Sequence, residues 1–270
     1  MRPASPTLAA GFALAALLAV AAVAAPLIAP HDPISINPSA VFEPPSAMHW
    51  AGTDALGRDV FSRILFGARA SLAAAVGIVL IGLTGGTVLG LGAATLGGTV
   101  DAIVMRVSEI AMALPGLVIA LALTAALGPS LINLVVALGV LAIPTYARIV
   151  RGEAVAVRAQ GYVRAARALG AGAWRVAFTH VGPNLAPILA TYASLGLSGA
   201  LLATSALSFI GLGAQPPTPE WGAMIYDGSQ VLLDAWWVGV FPGIGVALAA
   251  LAFTLIGDGL RDWLDPRGSA

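Results

Sequence analysis

The stretch IAMALPGLVIALALTAALGPSLINLVVALGVLAIPTYA, residues 110–147, carries no charged side chain. A helix rises about 1.5 Å per residue and a bilayer core is about 30 Å thick, so some 20 apolar residues make one crossing. The run is long enough for two. Gly128, Pro129 and Ser130 stand near its middle and supply turn chemistry, which divides it into spans at 110–127 and 131–149. Working outward by the same criterion gives a first span at 8–28, closed by Pro26 and Pro30, and a second at 71–98. A fifth falls within 184–212 and a sixth at 235–256. The expected fold is all-α, integral to the membrane, with six transmembrane helices. Residues 1–30 form a tail and first helix, 31–70 an external loop with an interfacial helix, and 71–270 a five-helix core.

Composition points the same way. Of 270 residues 59% are hydrophobic and 10% charged, against about 25% charged in a soluble domain. Mean hydropathy is +0.92. Net charge is zero, which gives no reason to expect a nucleic-acid partner. There is no Cys, which removes disulfides, thiolate catalysis and Cys-bound metals. All 13 basic residues are Arg. A phosphate-binding G-x-x-x-x-G-K-[ST] loop and a Schiff-base amine both need Lys, so neither is possible. Any ATP that drives this chain is hydrolysed by another polypeptide.

Arginine placement orients the spans. With the N-terminus inside, the interior receives Arg2, Arg106, Arg148, Arg151, Arg158, Arg164, Arg167, Arg175, Arg261 and Arg267. The exterior receives Arg58, Arg63 and Arg69, among Asp54 and Asp59. Ala22, Val23 and Ala24 resemble a signal-peptide cleavage site, but the apolar run is near 20 residues rather than the usual 7–15, which favours a retained helix.

Inside span two, Gly82, Gly86 and Gly90 repeat every four residues on one helical face, a pattern that brings membrane helices into close contact. Pro115, Pro144, Pro183 and Pro187 fall at or inside span ends and can bend them. In span five Ser194, Ser198 and Ser205 share a face, either lining a path or packing between helices.

Residues 151–183 make the one long interior segment. Within it Gly161–Gly170 reads as a short Ala-rich helix stopped by Gly170. Arg164 and Arg167 share a face, beside Ala165, Ala168 and Leu169. On its own, such a segment also suits an Arg-rich loop lying on lipid headgroups.

The spacing Ala165-Ala166 … Gly170 … Pro183 resembles the E-A-A-x-x-x-G-x9-I-x-L-P loop of importer permeases in the ATP-binding-cassette (ABC) superfamily. Arg164 stands at the acid's position, His180 at the Ile and Gly182 at the Leu. Three further stretches are similar to the second permease of dipeptide, oligopeptide and nickel importers. They are His49–Arg69, with Gly52, Thr53, Asp54, Gly57, Arg58 and Asp59; Gly211–Gly222; and Gly257–Arg267, with Gly257, Asp258 and Gly259. The likeness runs from about residue 27 to the end.

The resemblance implies a type I ABC importer transmembrane domain, and it makes Arg164, Ala165, Ala166, Arg167, Ala168, Leu169 and Gly170 a coupling helix that docks on an ATPase. It further implies a sister permease, two cytoplasmic ATPases that bind ATP and Mg, a substrate-binding protein, and a bacterial or archaeal inner-membrane location with both termini cytoplasmic. The chain holds no cofactor of its own. Peptide is the expected cargo, with a nickel or metal-chelate importer as the alternative.

Read without the resemblance, Asp59 is a candidate cap that opens an amphipathic helix. Val60, Ile64 and Leu65 would then lie on the membrane surface while Arg63 and Arg69 stay wet. Trp221, Trp236 and Trp237 suit an interfacial belt, or a mouth that receives a cationic group. Asp258, Arg261, Asp262 and Asp265 suit local ion pairs ending span six. His31, His49 and His180 form no recognisable site; His31 and His49 share a loop with several acids, where loop packing is favoured and weak metal contact stays open. A G-x-S-x-G motif is absent and Gly257-Asp258-Gly259 has no second intramembrane Asp, which counts against a hydrolase. The scarcity of ionisable groups in the spans counts against a secondary carrier.

Overall fold

A computed structural model describes residues 6–264, and every regular element among them is helical. Helices α1 (Pro6–Val23) and α2 (Ala25–Ile28) lead into a loop, which holds one short turn at Pro38–Ala40. Then come α3 (Val60–Leu96), α4 (Gly98–Ala113), α5 (Gly116–Leu127), α6 (Leu131–Arg158) and α7 (Gly161–Ala168). Helix α8 (Ala173–Val176) runs through a π-helical turn, Ala177–Val181, into α9 (Gly182–Phe209), and α10 (Trp221–Ser229) and α11 (Trp237–Leu264) complete the order. Five helical segments are long and apolar enough to cross a bilayer, and α4 with α5 makes a sixth if that bent pair is one span. The exterior stays apolar, with Leu17, Val20, Val88 and Ile132 all exposed, as a surface facing lipid requires.

Three elements depart from the expected boundaries. The third span is broken: α4 and α5 meet at 87° across Leu114 and Pro115. Proline lacks an N–H and its ring clashes with the preceding turn, so the helix restarts there. At 12 residues, α5 is roughly 18 Å long, too short to cross alone. Secondly, the interfacial helix and span two are one rod. Asp59 does cap it, its carboxylate accepting the Ser62 N–H at 2.8 Å, but the helix then continues for 37 residues, roughly 55 Å. Thirdly, α6 runs on to Arg158 and the fifth span begins at Ala173, so the connection between them shrinks to residues 159–172.

The glycine ladder finds its partner in α6. A β-carbon built on Gly82 would stand 2.7 Å from the Ala142 β-carbon. One on Gly86 would meet the Tyr146 β-carbon, and one on Gly90 the Ala147 carbonyl. The two backbones are close enough that only hydrogen fits between them, which is how membrane helices gain packing without a hydrophobic driving force. Beyond the seam, Arg151 Nε donates to Asp101 Oδ1 at 2.9 Å and ties α6 to α4. On the other flank α1 lies on α11, where Gly11 faces the Ile256 backbone and Gly259 faces Leu8.

Replacing Gly90 by Leu is expected to lower stability by about 1–3 kcal/mol, the usual scale of overpacking. Gly92→Leu, at a position with open space around it, should stay within about 0.5 kcal/mol. Denaturant unfolding in detergent compares the two.

Candidate functional site

Two ends of the α3 rod carry the candidate residues. At its C-terminal end, Leu91 and Ala94 join Val150, Ala154 and Val157 of α6 in a small apolar cluster with Val176, Val181 and Leu185. Val163 of α7 plugs into this cluster and is fully buried. Helix α7 is therefore seated against α6 and α8 by one buried aliphatic side chain, and the Tyr162 hydroxyl accepts the Asn184 amide of α9 at 3.1 Å. Its C-terminus closes as a Schellman motif: the Ala171 N–H donates to the Ala166 carbonyl and the Gly170 N–H to that of Arg167, both at 3.0 Å. Gly170 takes φ +91°, which L side chains rarely adopt.

The outward side of α7 carries Arg164, Ala165, Arg167 and Ala168, all exposed, with Ala166 half-buried. Leu169 is 89% exposed. Nearby, Trp174 and Phe178 stack at 5.9 Å and are both exposed. Small, apolar and cationic groups thus share one projecting surface. Pro183 stands directly after the π-helical turn Ala177–Val181 that joins α8 to α9, where the widened turn accommodates a residue without an N–H.

At the N-terminal end of α3, Gly52, Thr53, Asp54, Gly57, Arg58 and Asp59 fold into a buried knot. Gly57 (φ +69°) lies against the Asn37 carbonyl, leaving no room for a side chain. Thr53 accepts the Glu43 N–H at 2.8 Å and donates to the Ala40 carbonyl. Asp54 accepts the N–H groups of Leu56 and Arg58 at 2.9 and 3.0 Å and the Arg58 Nε at 2.7 Å, with Arg63 Nε at 3.4 Å. Arg63 also donates to the Pro33 carbonyl at 3.1 Å. The expectation that Arg63 stays wet is therefore corrected: it is 5% exposed, because Asp54 and a carbonyl replace its water. Val60 and Leu65 are buried as well and do not lie on a membrane surface.

The tryptophan belt is corrected for two of its three members. Trp221 and Trp237 are buried, their indole N–H groups donating to the Ile64 and Thr53 carbonyls at 3.0 Å, while Trp236 is exposed. A buried indole needs such a partner, and the long-range acceptor is invisible to hydropathy. Glu220 has a role that sequence reading missed. Fully buried, it caps α10 by accepting the N–H groups of Gly222 and Ala223, and it accepts the Ser71 hydroxyl, each at 3.0 Å. A polar residue just before a helix start is a signal for the cap, but not for Ser71, 149 positions away. Further along α10, desolvation pushes the Asp227 carboxyl above its ordinary value, against the pull of Arg63 and Arg58.

The C-terminal signature is also a packing device. Gly257 faces Leu195 of α9 and Gly259 faces α1, with Asp258 exposed between them. Among the described residues Asp258, Arg261 and Asp262 form no ion pair, since all three point outward where a pair gains little. Asp265, Arg267 and Arg2 lie outside the described residues.

Between α3, α5, α6 and α9 opens an apolar cavity of about 520 Å³, lined in part by Tyr146, Tyr192 and Gly196. The three serines do not line it. Ser194 donates to the Ala190 carbonyl, Ser198 accepts from Thr254 of α11 at 3.2 Å, and Ser205 packs against Gly222 of α10.

Removing one partner from the buried ion cluster leaves charges uncompensated. Asp54→Ala is expected to cost about 3–5 kcal/mol, and adding Arg63→Met should recover part of that loss. Thermal melts of the single and double variants read both effects.

The chain is similar along most of its length to peptide permeases. It is 46% identical over 253 residues to the probable D,D-dipeptide transport system permease protein DdpC of Escherichia coli, covering 93% of this chain and 84% of that protein. It is 44% identical over 225 residues to the glutathione transport system permease protein GsiD of Pectobacterium atrosepticum, covering 83% and 75%. Against the dipeptide transport system permease protein DppC of Alkalihalophilus pseudofirmus the figures are 43% over 247 residues, covering 91% and 81%. Residues 86–269 match the family model described as binding-protein-dependent transport system inner membrane component. The bundle of apolar helices agrees with a membrane component, and this chain belongs to that family of membrane permeases.

Proposed function

We propose that the chain forms half of the translocation path of a peptide importer and receives mechanical work through α7. The cargo reading draws on relatives whose names specify dipeptide, D,D-dipeptide or glutathione transport. The observation that carries the coupling reading is the seat of α7. Val163 anchors the helix in the apolar cluster beside α6 and α8 and Tyr162 ties it to Asn184 of α9, while Arg164, Arg167 and Leu169 project outward. A chain without Lys has no phosphate-binding loop, so ATP and Mg bind to two partner ATPases. A sister permease supplies the other half of the path, and a soluble or lipid-anchored binding protein delivers the cargo. Both termini are cytoplasmic, in keeping with the ten-to-three division of arginines. Helix α1 is retained, since its loss would leave Gly259 without the packing partner it has in Leu8.

In this reading ATP binding draws the ATPases together and α7 moves with them. The buried Val163 and the Schellman stop keep α7 stiff enough to transmit that motion into α6 and α9. These two helices line the apolar cavity, so a tilt changes the side to which it opens. Apolar walls hold a peptide weakly, and selection falls to the binding protein.

In the reconstituted complex, Ala166→Trp and Gly170→Leu should each reduce cargo-stimulated ATP hydrolysis by about tenfold or more, equivalent to about 1.4 kcal/mol of lost coupling. The spans should remain folded by circular dichroism. Normal stimulation in both variants would contradict the placement of the docking helix. For the cargo, the cognate binding protein should bind short peptides and stimulate hydrolysis with them; stimulation by nickel alone would contradict the peptide reading.

A further inference from the structure

His31, His49 and Asp59 lie far apart in sequence but each brings a donor atom within 4.8 Å of the others. His49 Nδ1 is 2.9 Å and His31 Nδ1 3.7 Å from the same oxygen, Asp59 Oδ1. The two imidazole centroids are 4.7 Å apart. The other carboxylate oxygen, Oδ2, is already engaged by the Ser62 N–H at 2.8 Å and the Ser62 hydroxyl at 2.6 Å. Ser62 Oγ in turn accepts the His31 backbone N–H at 3.2 Å. Outer-shell bonds of this kind fix the orientation of a ligating carboxylate and hold the loop that carries an imidazole. They leave Oδ1 and two ring edges converging on one point. Beside it is a cavity of about 180 Å³, lined also by Asp32, Ser35 and Asn37, with room for water.

We infer that His31, His49 and Asp59 bind a divalent metal ion of the zinc or nickel class. Bonds of about 2.0–2.1 Å in a tetrahedral site set donor atoms about 3.3 Å apart, a value between the two distances to Oδ1. His31 is 39% exposed and sits on a loop, so its ring has freedom to close the remaining gap. Two imidazoles and one carboxylate suit zinc, nickel or copper, whereas calcium and magnesium require a shell of oxygens. The positive end of α3 disfavours a bare cation here, so binding depends on coordination by imidazole rather than on attraction alone. Such an ion would pin the loop after α2 to the first turn of α3. The inference is independent of the cargo and of α7.

The test uses the full chain in nanodiscs, purified without a polyhistidine tag and stripped with a chelator. With only three His in the sequence, the background is low. Zinc alone is titrated, with bound metal per chain and melting temperature as readouts. Expected are one zinc per chain, a higher melting temperature, and no displacement by excess magnesium. His49→Ala and His31→Ala should each weaken binding by about tenfold or more, the scale on which even outer-shell changes act, while His180→Ala should not. Because His31 is partly exposed, that variant is expected to fold even if His49→Ala does not. Failure of the native chain to take up zinc, or uptake undiminished in His31→Ala, would overturn the site.

Discussion

The close approach of α3 and α6 is the constraint on which the rest of the molecule depends. Three glycines spaced by four allow two backbones to touch, and at Gly86 and Gly90 no side chain fits between them. In lipid, where burial of apolar surface gives little drive, such contact largely decides which helices associate. One rod, α3, therefore joins the buried knot at Asp54 and Asp59 to the apolar seat of α7. A shift at one end has a continuous helix along which to travel. The bent pair of α4 and α5 stands beside that rod, tied to α6 by Arg151 and Asp101.

The two ends of α3 solve opposite problems. At its start, carboxylates are taken out of water and given partners: Asp54 pairs with Arg58 and Arg63, and Asp59 is hydrogen-bonded by Ser62 and His49. Buried pairs of this kind define a geometry more than they add stability. At its far end Arg164 and Arg167 stay exposed and form no ion pair among the described residues, on a helix held by the buried Val163 and by the bond from Asn184 to Tyr162. Exposed cations and small side chains are what the proposed docking of α7 on another protein would use.

Much of this was legible in the sequence because lipid imposes a simple code. The charge-free run at 110–147, the Gly128 turn, the ladder at Gly82, Gly86 and Gly90, and the stop at Gly170 each follow from one-dimensional spacing. What escaped was set by partners far along the chain. Arg63 looked like a surface residue until Asp54 and the Pro33 carbonyl enclosed it. Trp221 and Trp237 looked like interfacial anchors because their acceptors, Ile64 and Thr53, lie more than 150 positions away. Pro115 was visible as a helix breaker, but neither the 87° turn nor the start of α4 at Gly98 can be read from its presence. Ser198 and Ser205 shared a face as expected, yet that face belongs to α10 and α11 rather than to the cavity.

The absence of native cysteine permits a direct measurement on α7. A single cysteine at position 168, in Ala168→Cys, is introduced into the assembled transporter and exposed to a short bifunctional thiol reagent. The expected result is a crosslink to a cysteine placed in the ATPase groove, with protection from a membrane-impermeant label applied outside intact cells. Ready labelling from outside, with no crosslink to the ATPase, would contradict the account.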